Sequence, residues 1–173
     1  MSEVLHEYLA RLQVVPDFDV LAVGPDGNPV PWYHVPVGAV VGDLALQAGR
    51  LREQVALVGS QIAHWGRLAA LTRRVWQIRE RELRTWEARK TLELLDPPSD
   101  PELVKTWKKP TVDQCKATYR VDVEYVQLYS EVERAEEAHN AASAFLEAFK
   151  AQKDVMRAHV RRSSAEAEPH LEV

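Results

Sequence analysis

"LALQAGRLREQVALVGSQIAHWGRLAALTRRVWQI", residues 44 to 78, decides the fold. Its apolar positions Leu44, Ala48, Leu51, Val55, Val58, Ile62 and Trp65 alternate steps of four and three, the spacing of a heptad seam. Leu68, Leu71, Val75 and Ile78 continue it after an extra step of three, a stammer that locally overwinds a coiled coil. No proline falls between Val41 and Leu95, so the pattern predicts one long helix there, or two nearly collinear ones. Beyond Ile78 the seam thins to Leu83, Trp86, Leu92 and Leu95, and charge takes over between them.

Downstream, "DPPSDP" stops the helix at Pro97 and Pro98, and Ser99 and Asp100 can cap a brief turn. Thr111, just after Pro110, is placed to cap a second long helix from Val112 to about Arg162, a range with neither glycine nor proline. Its seam runs through Leu128, Val132, Ala135, His139, Ala142, Leu146, Phe149, Lys153, Met156 and Val160. Alanines in the middle favour close approach of a neighbouring helix. Upstream, Val4, Leu5, Tyr8, Leu9 and Leu12 share one face of a short helix over residues 2–13, capped by Ser2. The glycines and prolines around "GPDGNP" then suggest a hairpin or an extended arm, with Pro29, Pro31 and Pro36 keeping any second strand short or at an edge.

These readings give an all-α fold: a long antiparallel helical hairpin, coiled-coil-like, preceded by a short helix and an irregular or hairpin arm. Residues 1–40 form the arm, 41–162 the hairpin core and 163–173 a disordered tail. A two-helix hairpin leaves apolar faces uncovered, so assembly as a homo-oligomer is expected.

Composition narrows the function. The 173 residues are 46% hydrophobic, enough for a core, and the net charge of -4 argues against a uniformly basic nucleic-acid coat. The charge is segregated, however: residues 67–92 hold eight Lys and Arg against three Asp and Glu. Cys115 is the only cysteine and reads as a small buried hydrophobe. No apolar run approaches a membrane span, and the acidic start lacks the layout of a signal peptide, so a cytoplasmic protein without membrane contact is expected.

No phosphate loop, nucleophile elbow, HExxH or paired CxxC occurs, so no catalytic residue, metal site or cofactor is expected. His139 sits on the second seam as a hydrogen-bonded core histidine, and Glu131, Glu133, Glu136 and Glu137 read as a solvated acidic face. The basic block carries more information. Arg73, Arg74, Arg81, Arg84 and Lys90 cannot all share one narrow stripe at 100° per residue, yet Arg74, Arg81 and Arg84 lie close together with Lys90 within reach, and such a stripe can follow a phosphate backbone. Trp86 is a candidate to stack on an unpaired base, worth about 1–3 kcal/mol, while Trp76 is the likelier packing residue of the pair. Lys105, Lys108, Lys109 and Lys116 add a second basic patch around Trp107. Set against this, Glu80 and Arg84 at i, i+4 are common on free-standing helices, so a plain coiled-coil surface is the alternative.

The stretch "KPTVDQCKATYRVDVEYVQLYSEVERAEEAHNAASAFLEAFKAQKDVM", residues 109–156, resembles the C-terminal half of UvsY-type phage recombination mediators. The matching positions are Lys109, Thr111, Asp122, Tyr125, Leu128, Ala135, Phe145, Phe149, Lys153 and Met156. The first helix is similar too, with Trp65, then Arg73 and Arg74, then Glu80. The resemblance spans roughly residues 41 to 160. It implies a non-enzymatic homo-oligomer that binds single-stranded DNA, contacts a single-strand-binding protein and helps load a RecA-like recombinase, in the host cytoplasm if phage-encoded. It implies DNA contacts from Arg89 and Lys90, although the family's Lys-x-Arg spacing is not reproduced, its lysine falling near Ala88. It further implies oligomerisation through the last helix, where Leu128, Val132, Ala142, Phe145, Leu146, Phe149 and Met156 have suitable bulk and spacing. The alternative is a structural coiled-coil oligomer, such as a phage assembly or scaffold protein, with no nucleic-acid role.

Overall fold

The computed structural model describes residues 3–45 and 51–166. Along the chain come α1 (Glu3–Leu12), β1 (Phe18–Val23), β2 (Pro29–Val35), α2 (Val37–Leu44), α3 (Leu51–Leu95), α4 (Pro101–Thr106), α5 (Val112–Tyr119) and α6 (Val123–Glu166). The molecule is mostly helical with one two-stranded antiparallel sheet. The expected Ser2 cap and the seam position Ala48 lie outside the described residues. The chain divides into two compact units, Met1–Arg73 with Glu137–Val173, and Arg74–Glu136.

In the first unit α3 and α6 run antiparallel, as the residue pairing shows. Trp65 meets Phe149 and Phe145, and Thr72 meets His139 further along α3 and earlier along α6. The Trp65 ring centroid lies 4.5 Å from that of Phe145 and 6.4 Å from that of Phe149. Such pairs contribute about 0.5–1.5 kcal/mol beyond the area they bury. Small residues let the backbones approach: Ala138, Ala141, Ala142 and Ala148 are all buried.

The N-terminal segment packs into the same core. Leu12 of α1, Val20 of β1, Val35 of β2 and Leu44 of α2 are buried in one cluster with Val58, Trp65, Phe145 and Met156. The amphipathic face of α1 is therefore a docking face, and the described N-terminal elements pack into the core of the first unit. The hairpin turn depends on Gly27, whose φ of 83 is the left-handed region that glycine adopts freely. Asp26 closes that turn by accepting from the side chain and then the backbone N–H of Asn28, at 2.8 and 3.1 Å, which holds its carboxyl below the usual range. A bulge follows Val20, which pairs with Tyr33 while Leu21 pairs with Pro31, so Trp32 is left over in the register.

The first helical stretch is divided. Ala45 is extended, with ψ 127, so α2 ends there instead of running on into α3. Tertiary contacts supply what the short helix lacks. The Asp17 carboxylate accepts from the Val37 N–H at 2.8 Å, and the buried Gln152 amide donates to the carbonyls of Asp43 (3.2 Å) and Leu44 (2.9 Å). At the other end, α6 continues to Glu166, four residues into the expected tail, and residues 167–173 lie outside the described residues.

In the second unit the helices are again antiparallel: Arg79 pairs with Glu131, Trp86 contacts Tyr125, and Lys90 pairs with Asp122. Val75, Leu83, Trp86, Cys115, Tyr119 and Ala135 are buried here. Asp100 caps α4 and Thr111 caps α5, the latter in a reciprocal capping box with Gln114. The expected unbroken helix from Val112 is interrupted after Tyr119. Asp122 accepts from the Glu124 N–H at 2.9 Å and starts α6 anew, between the two β-branched residues Val121 and Val123.

Because Phe145 is fully buried in this core, Phe145→Ala will lower stability by about 3–5 kcal/mol. Urea unfolding checks the size of the loss. Loss of oligomer mass with unchanged unfolding would instead place Phe145 at an interface between chains.

Candidate nucleic-acid interface

Helix geometry distributes the cations of α3 around its surface, and many meet carboxylates of the same chain. Arg79 donates to Glu82 at 2.8 Å and lies 3.2 Å from Glu131, both partly buried. Arg84 pairs with Glu80 at 2.6 Å, an exposed i, i+4 contact worth about 0.3–0.5 kcal/mol. Arg89 lies 3.8 Å from Glu93 and 3.9 Å from Glu124; Lys90 lies 3.7 Å from Glu93 and 3.6 Å from Asp122. The two residues for which the family resemblance implied DNA contacts are thus both beside acidic groups. In the connector, Lys105 pairs with Glu102 at 2.6 Å.

Other cations are differently placed. Arg74 and Arg81 are exposed, seven residues apart and hence on one face of α3, with no carboxylate in ion-pair range among the described residues. Lys108, Lys109, Lys116, Arg120 and Arg134, outside α3, are likewise exposed with no carboxylate in ion-pair range among the described residues. Arg73, in the first unit, is exposed as well.

Trp86 does not fit the stacking role. It is only 5% exposed, its ring lying 5.7 Å from Tyr119 in an edge-to-face contact and 5.9 Å from Tyr125. The Lys90 ammonium sits 5.8 Å from the ring centroid, a cation–π distance. An enclosed indole offers no face to a base. Its Nε1 is buried and has no hydrogen-bond partner among the described residues. Burial, followed by the charge of Glu87, raises the Tyr119 phenol pKa, against a hydrogen bond with Thr91. Trp76, the expected packing residue, is half-buried.

The residues assigned to oligomerisation divide in the same way. Ala142, Phe145, Phe149 and Met156 are committed to the chain's own core, while Leu128, Val132 and Leu146 keep part of their surface exposed. His139 lies 3.4 Å from the Thr72 hydroxyl, as expected of a hydrogen-bonded histidine on the seam. Among the described residues, no three of His, Cys, Asp or Glu are grouped to hold a metal, and no helix is long and apolar enough to cross a membrane.

The aromatic surface that is open was missed in the sequence. Trp32 is 58% exposed at the bulge, 6.5 Å from the half-exposed Tyr33, whose ring meets His64 edge-on at 6.1 Å. His64 in turn meets Trp65 at 5.6 Å. The available signal was a tryptophan directly after Pro31 in a proline-rich strand expected to lie at an edge, where no further strand covers it. Burial, with a smaller contribution from the Arg67 charge, lowers the His64 pKa below its ordinary value.

Two measurements check these placements. Trp86→Ala will cost about 3–5 kcal/mol of stability, whereas Arg74→Ala and Arg81→Ala will each stay within about 0.5 kcal/mol. Because His64 binds a proton less readily folded than unfolded, its contribution is intact above the unfolded pKa and is lost as pH falls through that value. Tm will therefore drop between about pH 7.5 and about pH 5, and His64→Phe will flatten the drop. An unchanged slope in that variant would contradict the assignment.

Comparison with family models, with curated proteins and with solved structures finds no match in any of the three.

Proposed function

We propose that the chain is a non-enzymatic single-stranded DNA-binding protein of the recombination-mediator kind. In this reading it acts as a homo-oligomer that helps load a RecA-like recombinase onto DNA covered by a single-strand-binding protein. The observation that carries the DNA contact is the pair Arg74 and Arg81, exposed on one face of α3 with no carboxylate in ion-pair range among the described residues, while the other cations of the second unit's part of that helix, Arg79, Arg84, Arg89 and Lys90, lie beside carboxylates. The mediator role rests on the resemblance of residues 41 to 160 to that family.

The enclosed Trp86 restricts the mode of binding to phosphate contacts at this surface, so affinity will depend on salt and little on sequence. The unpaired cations of the second unit bound the strength. Arg74, Arg81, Lys108, Lys109, Lys116, Arg120 and Arg134, the exposed cations without an ion pair among the described residues of this unit, limit the slope of log K against log[salt] to about -5 per protomer, at ~0.7 per phosphate on a single strand.

A structural oligomer is the second reading, and one observation favours it. Leu92, Leu103, Val104, Val112, Val121, Val123 and Val126 are all exposed in the second unit, apolar side chains available to a partner chain.

Fluorescence anisotropy with a labelled oligo-dT across a salt series separates the two. The DNA reading expects a salt-dependent isotherm whose slope falls by about 1.4 in the Arg74→Ala, Arg81→Ala double variant. Light scattering should show the same mass for both proteins. Salt-independent binding, or a double variant as tight as the parent, sinks the DNA reading.

A further inference from the structure

The first unit contains a groove between α3 and α6 that the DNA reading does not use. It has a volume of about 670 Å³, within the usual range of ligand sites, and lies open to solvent. Val55 and Val58 from α3 and Met156 and Val160 from α6 supply its apolar surface. Val58 and Met156 are buried and form the floor, while Val55 and Val160 are exposed at 41% and 49% and form the lip. Gly59 lines the groove too, and a Cβ built there would meet nothing within 4 Å, so the missing side chain leaves room rather than relieving a clash.

The remaining wall is cationic. Lys153, Arg157 and Arg161 line it at steps of four residues, about 6 Å apart along α6. No carboxylate lines the groove among the described residues, and none stands in ion-pair range of these three. Apolar side chains beside a row of cations select a ligand that is itself apolar along one edge and anionic at matching intervals. A fatty carboxylate has one charge and would leave two of the cations unanswered. A nucleic acid has charges in series, yet the floor offers valine and methionine and no aromatic ring on which a base could stack. An α-helix with leucine-like anchors on one face and carboxylates at i, i+4 and i+8 beside them meets both requirements. Methionine at the floor suits such an occupant, because its flexible thioether adapts to different anchors.

The geometry points to this groove as a docking site for an acidic amphipathic helix of a partner protein. The site is independent of Arg74 and Arg81, so the DNA reading can fail without affecting it.

The test uses the full chain and a labelled synthetic helix with Leu at i, i+4 and i+7 and Glu beside them at i+1, i+5 and i+9. A second peptide carries Lys in place of each Glu. Anisotropy should show the acidic peptide binding at least about tenfold tighter than the Lys peptide. Gly59→Leu fills the groove, and Arg157→Glu inverts its central charge; each should weaken the acidic peptide by about tenfold or more. Gly59→Leu should also melt at or above the parent temperature, because leucine favours the helix over glycine, so lost binding is not lost folding. Equal binding of the two peptides, no binding at all, or undiminished binding to Gly59→Leu overturns the proposal. Displacement of the peptide by dodecanoate or oligo-dT, acting through Gly59, would assign the groove to another occupant. A fall in the chain's own oligomer mass on Gly59→Leu would assign it to a second copy.

Discussion

The contact of Trp65 with Phe145 and Phe149 is the constraint on which the first unit depends. It brings one aromatic from α3 between two from α6, in a region where α6 is otherwise mainly alanine. Small residues permit the close approach and large ones occupy the space that remains. The N-terminal elements then complete the same core, with Leu12, Val20, Val35 and Leu44 each contributing an apolar side chain that the two helices alone would leave exposed. The second unit uses a related arrangement: Trp86 of α3 is enclosed by Tyr119 and Tyr125, and the aromatic series continues to Tyr129.

This use of tryptophan changes the functional reading of the basic block. An indole can stack on a base or be enclosed in a core, and for Trp86 the core has taken it. The charges are divided as well. Arg79, Arg84, Arg89, Lys90 and Lys105 lie beside carboxylates of their own chain, and what is left for a phosphate backbone is a smaller set than the sequence counts indicate. A nucleic acid would have to compete with Glu124 and Asp122 for Arg89 and Lys90, but with no carboxylate of the described residues for Arg74 and Arg81.

Much of the helical framework was legible in the sequence because it follows from periodicity and breakers. The four-and-three spacing through Val58, Trp65 and Val75 marked residues that are buried, and Pro97, Asp100 and Thr111 marked real ends and caps. The divisions at Ala45 and at Asp122 were not legible in this way, because neither involves proline. At Ala45 the chain is held by tertiary hydrogen bonds from Gln152, a residue over a hundred positions away, and no local pattern encodes that. The aromatic side chains were harder still, since heptad spacing places a residue on a face without saying what covers it. Met156 and Phe149 therefore looked available for a partner chain and are in the core, while Trp32 passed unnoticed and is the most exposed tryptophan.

Hydrogen–deuterium exchange of the tryptophan indole N–H groups tests the account most directly, because the chain has five tryptophans and each gives one resonance. An enclosed Trp86 predicts slow exchange at its Nε1 despite the lack of a hydrogen-bond partner among the described residues, slow exchange at Trp65, and fast exchange at Trp32. Addition of oligo-dT should leave the Trp86 resonance where it is. Fast exchange at Trp86, or a shift of its resonance that saturates with the oligonucleotide, would contradict the account and return that ring to the binding surface.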